Sequence, residues 1–328
     1  MLTRLSASLL AGLALCTAFT ATAAEQTYPT KPVKVIEPHP PGSILDIAVR
    51  GVTDALGQGL GQPFVVENRV GAEGMIGAEA CAKAAPDGYT LCATDALVIS
   101  LNPIIRSKLP YNPSRDFLPI VQFGFVSSAV VVNPSVSANS IAELLEQAKA
   151  RPGSVSWGSW GTSSLSNIYI EWIRHAKGIT FLNVPYKSAL QSAQAAVAGE
   201  VQVAVFGIGA SQPLIKAGKL KALAVTGDQR SMIMPSLPSF KEAGIDAIFR
   251  PWFGMLAPAG TPSEAIQRVN AVAAKALANP AFRDKFLTAG GVEFLPPAGG
   301  TPEQFSAFLK NERDTCEALV KLPGIKEE

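Results

Sequence analysis

Short β-branched or aromatic runs alternate with amphipathic stretches through most of this chain, and the alternation starts twice. In the first third, "KPVKVIEP", "PFVVEN" and "YTLCATD" read as strands, separated by an amphipathic stretch opening at Ser43 and a helix predicted over 77–85. Beyond Phe117 the order restarts with the strand "SSAVVVN" and the helix "SIAELLEQAKARPG", opened by a Ser140 to Glu143 capping box and closed near Gly153. "SVSWGS", "SNIYIEWIRHAKG", "ITFLNVP", "SALQSAQAAVAG", "VQVAVFG" and "KLKALAVTG" continue it. Strand-helix-strand repetition of this kind implies α/β layers, with mainly parallel sheets covered on both faces. The last part, from "PWFGMLAPAGTP", is mostly helical, with capping boxes at Thr261 to Glu264 and Thr301 to Gln304. It is too short for a sheet of its own and is expected to return to the first unit, leaving a cleft between two lobes.

The junction "IEPHPPGSILDIAVRGV" sits where such a cleft would lie. Gly42 permits a tight turn, Ser43 caps the following helix, and Asp46 completes the box. Ile44, Ile47, Ala48, Val52 and Leu56 make its expected buried stripe. The first amides, those of Ser43, Ile44 and Leu45, have no intrahelical acceptor and suit a carboxylate or phosphate. One such junction is ordinary in any βα unit. A second, "SWGSWGTSSLSN", has Gly158 and Gly161 to open the backbone and Ser163, Ser164 and Ser166 as hydroxyl donors. Two helix starts from different lobes could clamp an anion.

Composition closes off other classes. The 328 residues are 48% hydrophobic and 16% charged with a net charge of +2, which gives ample core and no basic block for nucleic acid. Arg4, the apolar run Leu9 to Leu15 and "TATAAEQ" have the order of a secretory leader, residues 1–24, cleaved after export. Cys16 follows the bulky Leu15, so plain cleavage is expected over lipidation. The remaining Cys81, Cys92 and Cys316 lack CxxC spacing and nearby histidines, which argues against a zinc site. Three buried thiols are expected, a Cys81–Cys92 disulfide being the alternative in an oxidising compartment. His39 lies in the candidate ligand loop, as a loop residue or a donor to ligand, and His175 near a helix end. Asp46 reads as a cap and Asp87 as a turn residue, whereas Asp95 could accept from a ligand hydroxyl or repel a second carboxylate. "GSWG" has the wrong spacing for a nucleophile elbow, and "GQGLG" ends a helix where a dinucleotide fingerprint would open one. No metal site, cofactor or catalytic set emerges.

"YPTKPVKVIEPHPPGSILDIAVR", "GQPFVVENRVGAEGMIGAEACAKAAPDGYTL", "LNPIIRSKLPYNPSRDFLPI", "VPYKSAL", "IKAGKLKALAVTGDQRS", "WFGMLAPAGTP" and "GGTPEQF" together resemble the Bug-type extracytoplasmic solute receptors of tripartite tricarboxylate transporters. The likeness spans nearly the whole mature chain. It implies a two-lobed periplasmic binding protein with a Venus-flytrap fold and no enzymatic activity, lobe 1 being 25–124 with 250–328 and lobe 2 being 125–249. It further implies a periplasmic location, a monomer, no cofactor, a small carboxylate ligand and a membrane permease as partner. A sensing role with a signalling partner uses the same closed lobes and stays open beside transport. Carried over by position, the implied ligand contacts are Ser43, Ile44 and Leu45; Thr94 and Asp95; Trp160, Gly161, Thr162, Ser163 and Ser164; and Phe206 and Gly207, with His39 in the same loop as Ser43. The family pattern has small or hydroxyl residues where Ile44, Leu45, Trp160 and Leu165 stand, and Asp-Asn where Phe206-Gly207 stands. These departures lead to the expectation of an aromatic acid.

Overall fold

The computed structural model describes residues 27–161, 164–246 and 249–321. The predicted leader and two expected ligand contacts, Thr162 and Ser163, lie outside the described residues. In chain order the first elements are β1 (Val33–Glu37), α1 (Ile44–Leu60), β2 (Phe64–Asn68), α2 (Met75–Ala82) and β3 (Thr90–Asp95). A π-helical stretch, Leu97–Leu101, and the single turn α3 (Asn102–Ile105) lead to a long β4 (Phe117–Val126). The alternation resumes with β5 (Ser128–Val132), α4 (Ile141–Ala150), β6 (Ser156–Ser159), α5 (Leu165–Lys177) and β7 (Leu182–Pro185). It continues through α6 (Ala189–Ala198), β8 (Val203–Gly207), α7 (Ile208–Lys216) and β9 (Lys221–Val225). After β10 (Trp252–Pro258) come α8 (Ser263–Ala278), α9 (Pro280–Phe286), β11 (Val292–Glu293) and α10 (Pro302–Val320).

These strands form two sheets, ordered β11-β4-β10-β3-β1-β2 and β7-β6-β8-β5-β9. Both are mixed, which corrects the expectation of mainly parallel sheets. β1 is parallel to β2 and β3, and β6 to β7 and β8, whereas β10 lies antiparallel between β3 and β4 and β5 antiparallel between β8 and β9. The crossings explain it. A strand that enters from the other sheet starts at the seam, where β3 and β8 end, so Phe253 pairs with Asp95 and Ser128 with Gly207. The C-terminal part returns to the first sheet: β10 pairs with β3 and β4, α8 packs on α1 and β4, and α10 packs on β4.

Apolar cores line both faces of each sheet. Along β8, Val203 and Val205 join the core under α4 and α5, while Ala204 and Phe206 join the opposite one, with Ala195 and Ala196 of α6. A further core crosses the seam, joining Val98, Phe125 and Trp252 to Ile168, with Leu97, Leu165 and Trp172 packed against it. On α1 the buried side chains include Leu45, Ala48, Val49, Val52 and Leu56, and Ile47 is 45% exposed. Ile47 is thus not in the stripe; Leu45 and Val49 take that place because α1 also turns a face toward α8 and α9.

The caps test the local reading. Ser140 Oγ accepts from the Glu143 amide at 3.1 Å, and Thr301 and Gln304 bond reciprocally, at 2.9 and 3.3 Å. Thr261 does not cap: its hydroxyl donates to the Pro258 carbonyl at 2.8 Å, and α8 begins one residue past Pro262. Cys81 and Cys92 are disulfide-bonded, against the expectation of free thiols, because α2 folds back onto β3 and brings the two Cα atoms within 5.9 Å. Cys316 is free and buried.

Candidate ligand site between the lobes

In each sheet the chain leaves one parallel strand toward opposite sides: β1 has β2 on one flank and β3 on the other, and β6 has β7 and β8. These are topological switch points, and crevices outside the carboxyl ends of such strands are where open α/β sheets bind ligands. Every described candidate residue follows or ends β1, β3, β6 or β8. His39, Ser43, Ile44 and Leu45 follow β1; Thr94 and Asp95 end β3; Trp160, Gly161 and Ser164 follow β6; Phe206 and Gly207 end β8.

The loop from Pro38 to Ser43 is held from all sides. Its prolines carry no amide, and each remaining donor has an acceptor: His39 N to Glu37 Oε2 at 2.9 Å, Gly42 N to Asp46 Oδ2 at 2.8 Å, and Ser43 N to the Pro40 carbonyl at 3.1 Å. Gly42 takes φ +82°, the left-handed turn that glycine adopts without strain. Ser43 Oγ accepts from the Asp46 amide at 3.1 Å. The Ser43 amide is therefore occupied, and the amides of this helix start that lack an intrahelical acceptor narrow to those of Ile44 and Leu45. Leu45 contributes its amide only, since its side chain is 1% exposed in the lobe core. Ile44 stays half-buried and packs toward Gly290, where an added Cβ would lie 2.8 Å from its Cγ2.

Beside the loop, His39 Nε2 meets Asp95 Oδ2 at 2.6 Å, and Asp95 Oδ1 accepts from the Val98 amide at 2.9 Å. Burial opposes a charged His39, but the bond to Asp95 and the negative charges of Asp95 and Glu37 raise its pKa above the ordinary value. Both carboxylate oxygens of Asp95 are thus engaged within the protein. Thr94 is 3% exposed and its hydroxyl is closed in among side chains, so it does not reach the cleft surface.

On the second sheet, Ser164 caps α5: its Oγ accepts from Asn167 N at 3.3 Å and donates to the Gly161 carbonyl at 2.7 Å. Ser166, expected as a free hydroxyl donor, is fully buried and bonds the Gly158 carbonyl at 2.6 Å while accepting from Trp157 Nε1. At this helix start the Leu165 and Ser166 amides have no intrahelical acceptor, and Trp160, a few residues before them, is half-buried. Gly161, at φ +112°, opens the turn. Phe206 and Trp160, both half-buried, pack against the cores on opposite faces of this sheet, so the two do not sandwich one ring. Gly207 precedes α7, whose first amide, Ile208 N, is taken by the Ser127 carbonyl at 3.0 Å.

Sequence reasoning missed a network behind the loop. Asn68, at the end of β2, donates to Glu37 Oε2, the His39 carbonyl and Asp46 Oδ1 at 2.6, 2.9 and 2.9 Å. Arg50 clasps both Asp46 oxygens at 2.9 Å and reaches Asn68 Oδ1 at 3.0 Å. Burial would raise the Asp46 pKa, but these donors hold it below the usual range. For Glu37, burial prevails over His39 and Asn68, and its pKa is pushed up to about 7. The available signal was the register that sets Glu37 opposite Asn68, which only the β1–β2 pairing reveals.

Two crevices of about 630 and 620 Å³ lie elsewhere along the seam. Acids line the first, Asp228, Asp246 and Glu312, and its Arg250 already pairs with Asp228 and covers the Phe125 ring. The second holds Asp284 and Glu293, with Arg283 over the Phe294 ring.

Two α/β lobes with capped helix starts at both switch points define a solute-binding protein of the two-lobed, Venus-flytrap kind. More particularly, the tripartite tricarboxylate transporter family receptor pattern matches residues 48–324, and the chain belongs to that family. It is a family of periplasmic solute-binding receptors for small carboxylates, not of enzymes. Protein BugT of Bordetella pertussis is 32% identical over 302 residues, 92% of this chain and 91% of that protein. Rpa4515 of R. palustris, solved with adipate, is 29% identical with a TM-score of 0.75, covering 90% of this chain and 97% of that one. MatC of Rhodopseudomonas palustris, solved with bound malate, is 26% identical with a TM-score of 0.73, covering 89% and 100%.

Proposed function

We propose that this receptor captures a small aromatic carboxylate in the periplasm and delivers it to the membrane permease of a tripartite tricarboxylate transporter, with lobes 25–124 plus 250–328 and 125–249 closing on the ligand. The observation that carries the reading is the match of two amide pairs, Ile44 with Leu45 and Leu165 with Ser166, to apolar neighbours at both switch points. The amides take the carboxylate, and Ile44, Leu165 and the Trp160 indole flank the body of the acid. Stacking on Trp160 would add about 0.5–1.5 kcal/mol beyond area burial. Phe206 supports the lobe from its far side. A second reading, an aliphatic dicarboxylate bridging the two amide pairs, is favoured by the adipate and malate bound in the relatives.

Competition calorimetry decides between them: benzoate or phthalate should displace adipate, malate and citrate, and the reverse order selects the dicarboxylate. Ile44→Pro tests the site itself. Ser43 already has φ −64° and ψ 162°, the conformation favoured before proline, and proline is accepted at the first helical position. The variant should fold, its melting temperature lowered only by the lost packing of the half-buried Ile44 side chain, and bind roughly 10- to 100-fold more weakly, the value of one hydrogen bond to a charged group. Ile44→Val, which keeps the amide, should bind like the parent. Parental affinity in Ile44→Pro would move the carboxylate away from this helix.

A further inference from the structure

We propose that Asn68 is a positioning residue of the receptor: it sets the ligand loop and the helix start that receives the carboxylate. This deepens the proposed function and rests on it. His39, at the centre of the loop, is gripped at both backbone groups, its amide by Glu37 Oε2 and its carbonyl by Asn68 Nδ2. The same Asn68 nitrogen reaches Asp46, whose other oxygen holds Gly42, so one side chain ties together β1, the loop and the first turn of α1. All three groups it meets are acceptors, and its Oδ1 accepts from Arg50. The amide of asparagine supplies donors on one side and an acceptor on the other, a combination aspartate and leucine of similar size lack.

A second observation points the same way. Glu37 is fully buried and its Oε1 has no hydrogen-bond partner among the described residues, so Asn68 and the His39 amide are what hold this carboxyl, both at Oε2. A buried carboxyl bonded at one oxygen carries an uncompensated desolvation cost, which an anchor in the lobe core alone would not require. Its place directly beneath the loop accounts for it: the charged and titratable groups facing Asn68 are Glu37 on β1, His39 in the loop, and Asp46 and Arg50 on α1, with Asp95 of β3 held to the His39 ring.

The experiment uses the mature chain with benzoate and adipate as probes. Asn68→Ala should weaken the better-bound probe by about tenfold or more. Freed of its tether, the loop should loosen the His39–Asp95 contact, so the His39 ring proton resonance, assigned by comparison with His39→Gln, should titrate closer to the ordinary histidine value than in the parent. Asn68→Asp keeps the size but sets a third carboxylate against Glu37 and Asp46. It should bind as poorly as Asn68→Ala at pH 8 and recover toward the parent at pH 5, where a proton restores a donor. A lowered melting temperature with unchanged affinity and unchanged His39 titration would overturn the proposal, as would a binding loss in Asn68→Asp that ignores pH. An altered His39 titration with parental affinity would also overturn it, since the loop would then move without consequence for the ligand. If Asn68→Ala binds normally while Ile44→Pro does not, the carboxylate site stands and the positioning role falls. If the parent binds neither probe, the site reading fails, and the His39 titration still tests the tether.

Discussion

At the scale of single residues, Glu312 is the carboxyl with the most to lose from its surroundings. It projects from α10 and is 7% exposed, and its Oε2 accepts from Ser100 Oγ at 2.7 Å and from the Trp252 indole nitrogen. Burial raises its pKa to about 8, the two donors offsetting only part of that. The native state therefore holds a proton that the unfolded chain releases near pH 4.5, so this group's stability contribution is full below that pH and is lost as pH rises through about 8. Glu312→Gln keeps an acceptor for both donors and removes the titration. Its stability relative to the parent, from urea midpoints, should rise between pH 5 and pH 8 by roughly a few kcal/mol. A constant difference across that range would show Glu312 to be ionised in the fold.

Among the elements, α2 and β3 illustrate how a local unit is closed covalently. α2 has small residues on its packed side, Gly77, Ala78 and Cys81, which let it lie close on the sheet: a Cβ added at Gly77 would come within 3.0 Å of the Arg69 carbonyl oxygen and 3.1 Å of Pro38 Cα. The Cys81–Cys92 bond locks that approach beneath the strand that presents Asp95. Thiol titration of the denatured, unreduced protein starting at residue 25 should find one reactive group, Cys316, and three after reduction. Replacing both bridging cysteines by serine should cost about 2–3 kcal/mol, the range for a loop of this length. Three thiols before reduction would remove the bridge from the account.

The whole molecule is two sheets joined at strand ends, with one apolar core running across the seam beneath α5. Leu165, the first residue of α5, packs against both that core and the core of its own lobe. Were the lobes to close, a turn of α5 on the seam would move the Leu165 and Ser166 amides relative to Ile44 and Leu45. A carboxylate that touches both pairs stabilises the closed arrangement by its differential affinity for it. Small-angle scattering should give a smaller radius of gyration with the bound acid than without. An unchanged radius at saturation would mean that one lobe binds alone.

What the sequence determined by itself was governed by short range. Strand and helix order, the Ser43, Ser140 and Thr301 helix starts, and the Gly42 turn follow from periodicity and capping chemistry within a few residues, whereas the expected Thr261 cap fails and Ser164, expected as a hydroxyl donor, caps α5. Hence the two-lobed class and the candidate loops were legible before any coordinates. Tertiary structure decided which atoms of those loops remain available. Ser43 N, the Ser166 hydroxyl and Thr94 each have the right chemistry for a ligand, and each is occupied or enclosed by a neighbour distant in sequence or hidden in the turn geometry. Ile47 and Leu45 are both apolar and two residues apart, and only the packing of α8 and α9 on α1 selects which is buried. Asn68 lies 22 residues from Asp46 and 31 from Glu37, so its tether exists only once β1 and β2 pair in register. The physical reason is common to all: a hydrogen bond or a buried face is a property of pairs, and the partner's position is fixed by the fold.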